Sequence, residues 1–187
     1  MSAAYQQAMK TGKPAVEKVT IRRVADVDPD LSYLGEYTND AGDWNIERQS
    51  GEYVHDLPED HDTPERGREY RYFTPYAGGE KPGTADYRKY GLQDYKRMEA
   101  LNCGDWYMIG ITTEAEALVP SSGTSCHIQH ITGGSLWGIE SDSEESYMES
   151  IARGCLHELQ QQLEALGVSA EEAARAIPET IEFKDSY

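Results

Sequence analysis

Two short segments bring together side chains that could bind a metal ion. The first, VHDLPEDHD, offers imidazole and carboxylate ligands at His55, Asp56, Glu59, Asp60, His61 and Asp62. Its spacing matches no zinc motif and lacks the glycine that an EF-hand loop needs at its sixth position. We interpret this segment as a polar loop and predict no metal site and no cofactor. A small metal-dependent enzyme that uses this loop stays open as an alternative.

The second segment, CHIQH, has the spacing of a strand. Cys126 and His130 would then share one face while His127 points to the other, so at most two ligands converge. Cys155 and His157 could complete a set only through tertiary contact. A small buried cysteine and ordinary strand histidines are the favoured interpretation.

The residue types needed for catalysis form no complete set. The chain has no GxSxG motif and no glycine-rich loop that leads into a helix with a phosphate-binding lysine. Glu114 and Glu116 lie about 7 Å apart on one face of a predicted strand. The two carboxylates of a glycosidase normally come from different elements, and one of them is sheltered. We therefore predict that the chain is not an enzyme and assign no catalytic residue.

Charge is the strongest signal in the composition. The 187 residues include 34 acidic and 17 basic side chains, a net charge of −17, and no Lys or Arg occurs between Arg97 and Arg153. Such a surface repels nucleic acids and anionic membranes and attracts basic proteins. Direct nucleic-acid binding is therefore disfavoured, although the segment RKYGLQDYKR interleaves bases with tyrosines. An alternative is that the acidity only maintains solubility.

The segment GGSLWGIESDSEESYMES places much of this negative charge beside an apolar strand. Ser141 and Glu144 have the spacing of a capping box, with a helix that begins at Asp142. Ser169 and Glu172 repeat this spacing and predict the start of a further short helix. The helix dipole accounts for acidic residues only in the first helical turn. The residues that we predict to bind a partner are exposed carboxylates: Glu114, Glu116, Glu140, Asp142, Glu144, Glu145 and Glu149.

The remaining patterns predict an α+β fold in a single domain, residues 1–187. Alternating segments predict a mainly antiparallel sheet: KVTIRRVADV, WYMIGITTEAEALV, SCHIQHIT and, after a Gly133–Gly134 turn, SLWGIE. Apolar residues at three- and four-residue steps from Tyr147 to Leu166 predict a long helix packed on one face. We expect a loose N-terminal lead-in over residues 1–15 and a long irregular segment, rich in Pro, Gly and Tyr, over residues 50–84.

The cysteine count and the hydropathy pattern bear on location. The three cysteines have no CxxC spacing, and no apolar run approaches the ~18 residues of a membrane-spanning helix. The N-terminal segment lacks the apolar core of a signal peptide. We expect a cytoplasmic protein.

The segments YGLQDYKRMEALNCGDWYMIGI and GGSLWGIESDSEESY resemble an uncharacterised family of acidic proteins carried by phages and other mobile elements. The resemblance covers roughly residues 90–167 and includes no catalytic motif. Small acidic proteins of such elements include DNA-mimicking inhibitors of restriction enzymes and CRISPR complexes. The resemblance therefore implies an anti-restriction or anti-CRISPR inhibitor in the host cytoplasm, which occupies a basic DNA- or RNA-binding surface. The alternatives are the metal-dependent enzyme and a phage structural or assembly protein, and the composition is compatible with a homodimer.

Overall fold

The computed structural model describes residues 1–48, 70–121 and 125–186. The helices of this part are α1 (Ala3–Thr11), α2 (Ala85–Asn102), α3 (Glu145–Leu166) and α4 (Ala170–Ala176). Its strands are β1 (Ala15–Ala25), β2 (Gly35–Thr38), β3 (Ile46–Glu47), β4 (Tyr72–Pro75), β5 (Met108–Pro120), β6 (Cys126–Glu140) and β7 (Phe183–Ser186). The predicted α+β class is confirmed. No helix in the described ranges is long and apolar enough to span a membrane.

The described residues form two compact units. The four-strand unit comprises residues 1–27 and 108–187, and the three-strand unit comprises residues 28–107. The irregular segment predicted over residues 50–84 lies outside the described residues as far as residue 69. Its remainder contains β4 and a short 3-10 turn at Ala77–Gly79.

The sheet of the four-strand unit has the order β6-β5-β1-β7, and only the β1–β7 pair is parallel. Strand β5 alternates as its sequence predicts, because Ile109, Ile111, Ala115 and Ala117 are all buried on one face. Helix α3 covers this face with buried residues at helical spacing: Met148, Ala152, Leu156, Leu159 and Leu163. The apolar residues at every second position of β5 therefore pack against the apolar residues at helical spacing in α3, and together they form one core.

The Gly133–Gly134 pair lies inside β6 and is not the turn that we predicted. β6 continues through both glycines for 15 residues, and the pairing with β5 is irregular beside them. A Cβ atom on Gly133 would lie 2.5 Å from Cβ of Leu159, and one on Gly134 would lie 2.9 Å from Cα of Cys155. Thr113 Oγ1 lies 3.2 Å from the carbonyl oxygens of Gly134 and Cys155. The glycines are thus the point where α3 approaches the sheet most closely.

The first residues of the chain form a capped helix and not a loose lead-in. Ser2 Oγ accepts a hydrogen bond from the Tyr5 amide, and Gly12 ends α1 with φ of 67°. Ala8 is fully buried in a small cluster with Ala15 and Leu118. This cluster lies on the opposite face of the sheet from α3, because Leu118 alternates with the core residues of β5.

The start of α3 also differs from our prediction. Residues 141–143 form a turn, and the N-cap residue is Glu144, whose side chain makes no capping hydrogen bond. The capping box of Ser141 and Glu144 was therefore wrong, and the helix begins three residues after Asp142. The second predicted cap is confirmed, because Ser169 Oγ accepts from the Glu172 amide, 3.3 Å away, at the start of α4.

The three-strand unit packs α2 near a small antiparallel sheet of order β2-β4-β3. Its core includes a buried ion pair: Arg48 Nε and Nη2 donate to the two carboxylate oxygens of Glu99 at 2.8 and 3.2 Å. Arg48 Nη1 donates to the Tyr70 carbonyl at 3.0 Å, and Tyr37 Oη donates to Glu99 at 2.9 Å. Burial, followed by the bond to Glu99, raises the pKa of Tyr37 far above its usual range.

Candidate binding surface

The two glutamates of β5 do not form an isolated negative pair. Arg22 of β1 donates to Glu114 Oε1 from Nε at 3.0 Å and from Nη2 at 2.7 Å. Glu116 lies opposite Lys18 in β1 and His130 in β6. Basic residues of β1, which are distant in the sequence, therefore lie beside the acidic residues of the segment that has no Lys or Arg of its own. The partner-binding role predicted for Glu114 and Glu116 stays a prediction, although Glu114 already forms an ion pair with Arg22.

The other five predicted carboxylates, Glu140, Asp142, Glu144, Glu145 and Glu149, follow one another from the end of β6 into α3. We call them the acidic rim. Glu145 of the rim contacts a cation, since Arg23 Nη1 lies 3.4 Å from Glu145 Oε2. The same arginine contacts Asp185 more closely, with Nε 2.7 Å from Oδ1. Glu144 and Glu149 form no ion pair within the described ranges. Glu145 and Glu149 are four residues apart on α3, a spacing at which like charges destabilise a helix.

A turn brings the rim to the end of the sheet. The Ser143 amide donates to the Glu140 carbonyl at 3.0 Å, which holds these two Cα atoms within about 7 Å. Asp26, the residue after β1, lies at the same end of the sheet, because its amide donates to the carbonyl of Met108, the residue opposite Glu140 in β5. Asp26 and Glu140 thus flank Met108 from its two sides, about 10 Å apart.

Trp137 lies beside this acidic end and was predicted only as a strand residue of a core or its edge. A Cβ atom on Gly110 would lie 2.3 Å from the Trp137 ring, so the indole covers that glycine in the neighbouring strand. Trp137 nevertheless stays 48% exposed. The amide of the next residue, Gly138, donates to Asp26 Oδ2 at 3.2 Å. The sequence signal for the contact between Trp137 and Gly110 was the glycine itself, since a glycine within a strand often marks a place where another group approaches the backbone closely.

The sequence-predicted metal ligands are not brought together where the structure describes them. Residues 55–62 lie outside the described ranges. No group of three His, Cys, Asp or Glu side chains suited to a metal occurs in residues 1–48, 70–121 and 125–186. Cys126 Sγ lies 3.5 Å from Met9 Sδ of α1, and Cys155 is a buried residue of α3. Burial, followed by Glu158, raises the pKa of the Cys155 thiol, which disfavours the thiolate that a metal would need.

The arrangement is therefore a surface with an aromatic side chain and several carboxylates at one end of a sheet. It has the chemistry for binding a cationic protein surface, because Trp137 can contact apolar or guanidinium groups while the carboxylates attract bases. Comparison with protein-family models, with curated proteins and with solved structures finds no match for this chain.

Proposed function

We propose that this chain is a non-enzymatic acidic protein that binds a basic, nucleic-acid-binding protein surface. In this proposal it acts as a phage or mobile-element inhibitor of a restriction enzyme or a CRISPR effector. The observation that supports it most is the half-exposed Trp137, which lies three residues before Glu140 and whose neighbour Gly138 donates to Asp26. Binding hot spots are enriched in tryptophan, and surrounding charged groups steer association.

The carboxylates of the proposed surface differ in how available they are. Arg22 neutralises Glu114, and Arg23 is shared between Glu145 and Asp185. The proposed contacts are Trp137 and the carboxylates around the end of the sheet: Asp26, Glu140, Asp142, Glu144 and Glu149. Glu114 is a weaker candidate, because its ion pair with Arg22 offsets part of its charge.

Electrostatics favours a partner with a large positive groove. A net charge of −17 gives long-range attraction to such a groove and repulsion from DNA and RNA themselves. Glu145 and Glu149 repel each other at their four-residue spacing, whereas Arg23 and the helix N-terminus stabilise Glu145.

Neutralising the rim is expected to slow association. In the triple variant Glu140→Gln, Asp142→Asn and Glu144→Gln, the association rate with a purified Cas9-type effector or restriction endonuclease should fall by about tenfold at low salt, because charge steering weakens. Trp137→Ala should instead raise the dissociation rate, because it removes the aromatic contact. Surface plasmon resonance separates the two rates.

A matched control removes the same charge elsewhere in the four-strand unit. The exposed residues Glu164, Glu179 and Glu182 lie outside the rim, and their triple change to glutamine leaves Trp137 and the rim intact. The control should change the association rate far less than the rim variant. Equal effects of the two triple variants would contradict a specific role for the rim.

A further inference from the structure

One surface strand, β6, carries no charge before its last residue, Glu140, in this highly charged chain. The 23 residues from Ala117 to Ile139 contain no Asp, Glu, Lys or Arg, although such residues make up 27% of the sequence. Most of them belong to β6, which pairs with β5 alone in the described part of the sheet. Ile128 is 56% exposed, and Gln129 and His130 beside it are also exposed. The uncharged segment is therefore at the surface and at a sheet edge.

The other sheet edges in the described residues are short and charged. β7, at the opposite edge of the same sheet, has four residues and carries Lys184 and Asp185. In the three-strand unit, β2 has four residues with Glu36, and β3 has two residues with Glu47. Short length and charge are the usual means by which proteins prevent edge strands from pairing. β6 has 15 residues and carries no charge before Glu140.

The part of β6 that is suited to pairing is its first half. From Cys126 to Thr132 the pairing with β5 is regular, whereas the irregularities fall at and beyond Gly133. Bulges twist an edge away from a neighbouring strand, so the second half is protected. Seven regular residues span about 24 Å.

We propose that two copies of this chain associate through the first half of β6, in an antiparallel pair centred on Gln129. A two-fold axis there places Ile128 of one copy opposite His130 of the other, and joins the two four-stranded sheets into one. A second copy is the occupant that the charges favour. The first half of β6 has no carboxylate of its own to attract a cationic partner, while two copies of a −17 chain repel each other least where the paired strands carry no charge.

We expect a weak dimer that becomes more stable as the salt concentration rises. A seven-residue strand pair is smaller than the ~1,200–2,000 Å² interfaces of stable complexes, so we expect a dissociation constant in the micromolar range. Added salt screens the repulsion between the two acidic chains and should strengthen the dimer. The binding of a basic partner should respond in the opposite direction.

Sedimentation velocity of the full chain tests the proposal, at concentrations between about 1 and 500 μM that bracket the expected micromolar dissociation constant. The expected result is a monomer–dimer equilibrium that shifts toward dimer between about 50 and 500 mM salt. Gln129→Lys should raise the dissociation constant at least about tenfold, because it places two ammonium groups opposite each other. Gln93→Lys, the same change at an exposed position of α2, should leave it unaltered.

Three outcomes would overturn the proposal. One is a wild-type chain that stays monomeric over the whole range, and another is a dimer that Gln129→Lys leaves intact. The third is a dimer that both lysine variants weaken equally. Far-UV circular dichroism of each variant identifies any loss that is due to unfolding. Because the wild-type measurement needs no variant, the proposal can fail even if Gln129→Lys does not fold.

Discussion

Replacing Glu99 by alanine should lower the unfolding free energy of the three-strand unit by about 3–5 kcal/mol. The change removes the carboxylate that accepts two hydrogen bonds from Arg48 and one from Tyr37. The Arg48 side chain is 1% exposed, so its charge would stay buried beside the Tyr70 carbonyl and the face of the Tyr37 ring after its carboxylate partner is lost. An uncompensated buried charge is among the most destabilising consequences of a single substitution.

Urea denaturation of the full chain measures this effect, and a double variant provides the control. Arg48→Met combined with Glu99→Leu removes both charges while keeping similar side-chain volumes. Replacement of a whole buried ion pair by apolar residues is often close to neutral, so the double variant should be more stable than Glu99→Ala. A loss below about 1 kcal/mol for Glu99→Ala would show that Arg48 finds water or another partner.

Opposite effects are expected from the same substitution at two glycines. Gly133→Ala should destabilise the four-strand unit by about 1–3 kcal/mol, the usual cost of overpacking a core. The new methyl group would lie 2.5 Å from both Leu159 Cβ and Thr113 Oγ1 and 2.9 Å from Leu159 Cα. Backbone atoms of α3 cannot move aside by a rotamer change, so the helix itself would have to shift.

The matched glycine lies on the exposed side of α3. A Cβ atom on Gly154 would have no neighbour within 4 Å, and the residue lies within the helix. Gly154→Ala should therefore stabilise the chain by about 0.5–1 kcal/mol, because alanine has the higher helix propensity. Thermal and urea denaturation of the two variants should give changes of opposite sign. Two changes of the same sign would contradict the close helix–sheet approach at Gly133.

Local patterns in the sequence were enough to predict much of the secondary structure and its buried faces. The alternation of β5 correctly predicted its buried face, since period two is a direct consequence of strand geometry. The spacing of Ser169 and Glu172 correctly predicted the start of α4. The apolar spacing after Tyr147 corresponds to α3, although Tyr147 itself is 52% exposed. These features depend on residues a few positions apart, which is the range over which a single sequence is informative.

The features that sequence reasoning missed depend on residues distant in the chain. The neutralisation of Glu114 requires Arg22, 92 positions away, and the contact of Gly138 with Asp26 spans 112 positions. The Gly133–Gly134 pair was taken for a turn because such pairs favour turns, while here it makes room for α3. The sequence therefore predicted the rim carboxylates of the candidate surface, but it did not predict that Trp137 and Asp26 belong to it.

The salt dependence of competition with DNA tests the proposed function most directly. A labelled DNA duplex bound to a purified Cas9-type effector or restriction endonuclease would be titrated with this chain at about 50 and 300 mM salt. The account predicts that the chain displaces the DNA and that its own affinity falls as salt rises, because a −17 surface meets a cationic groove. Failure to displace DNA from either enzyme, or an affinity that salt leaves unchanged, would contradict it.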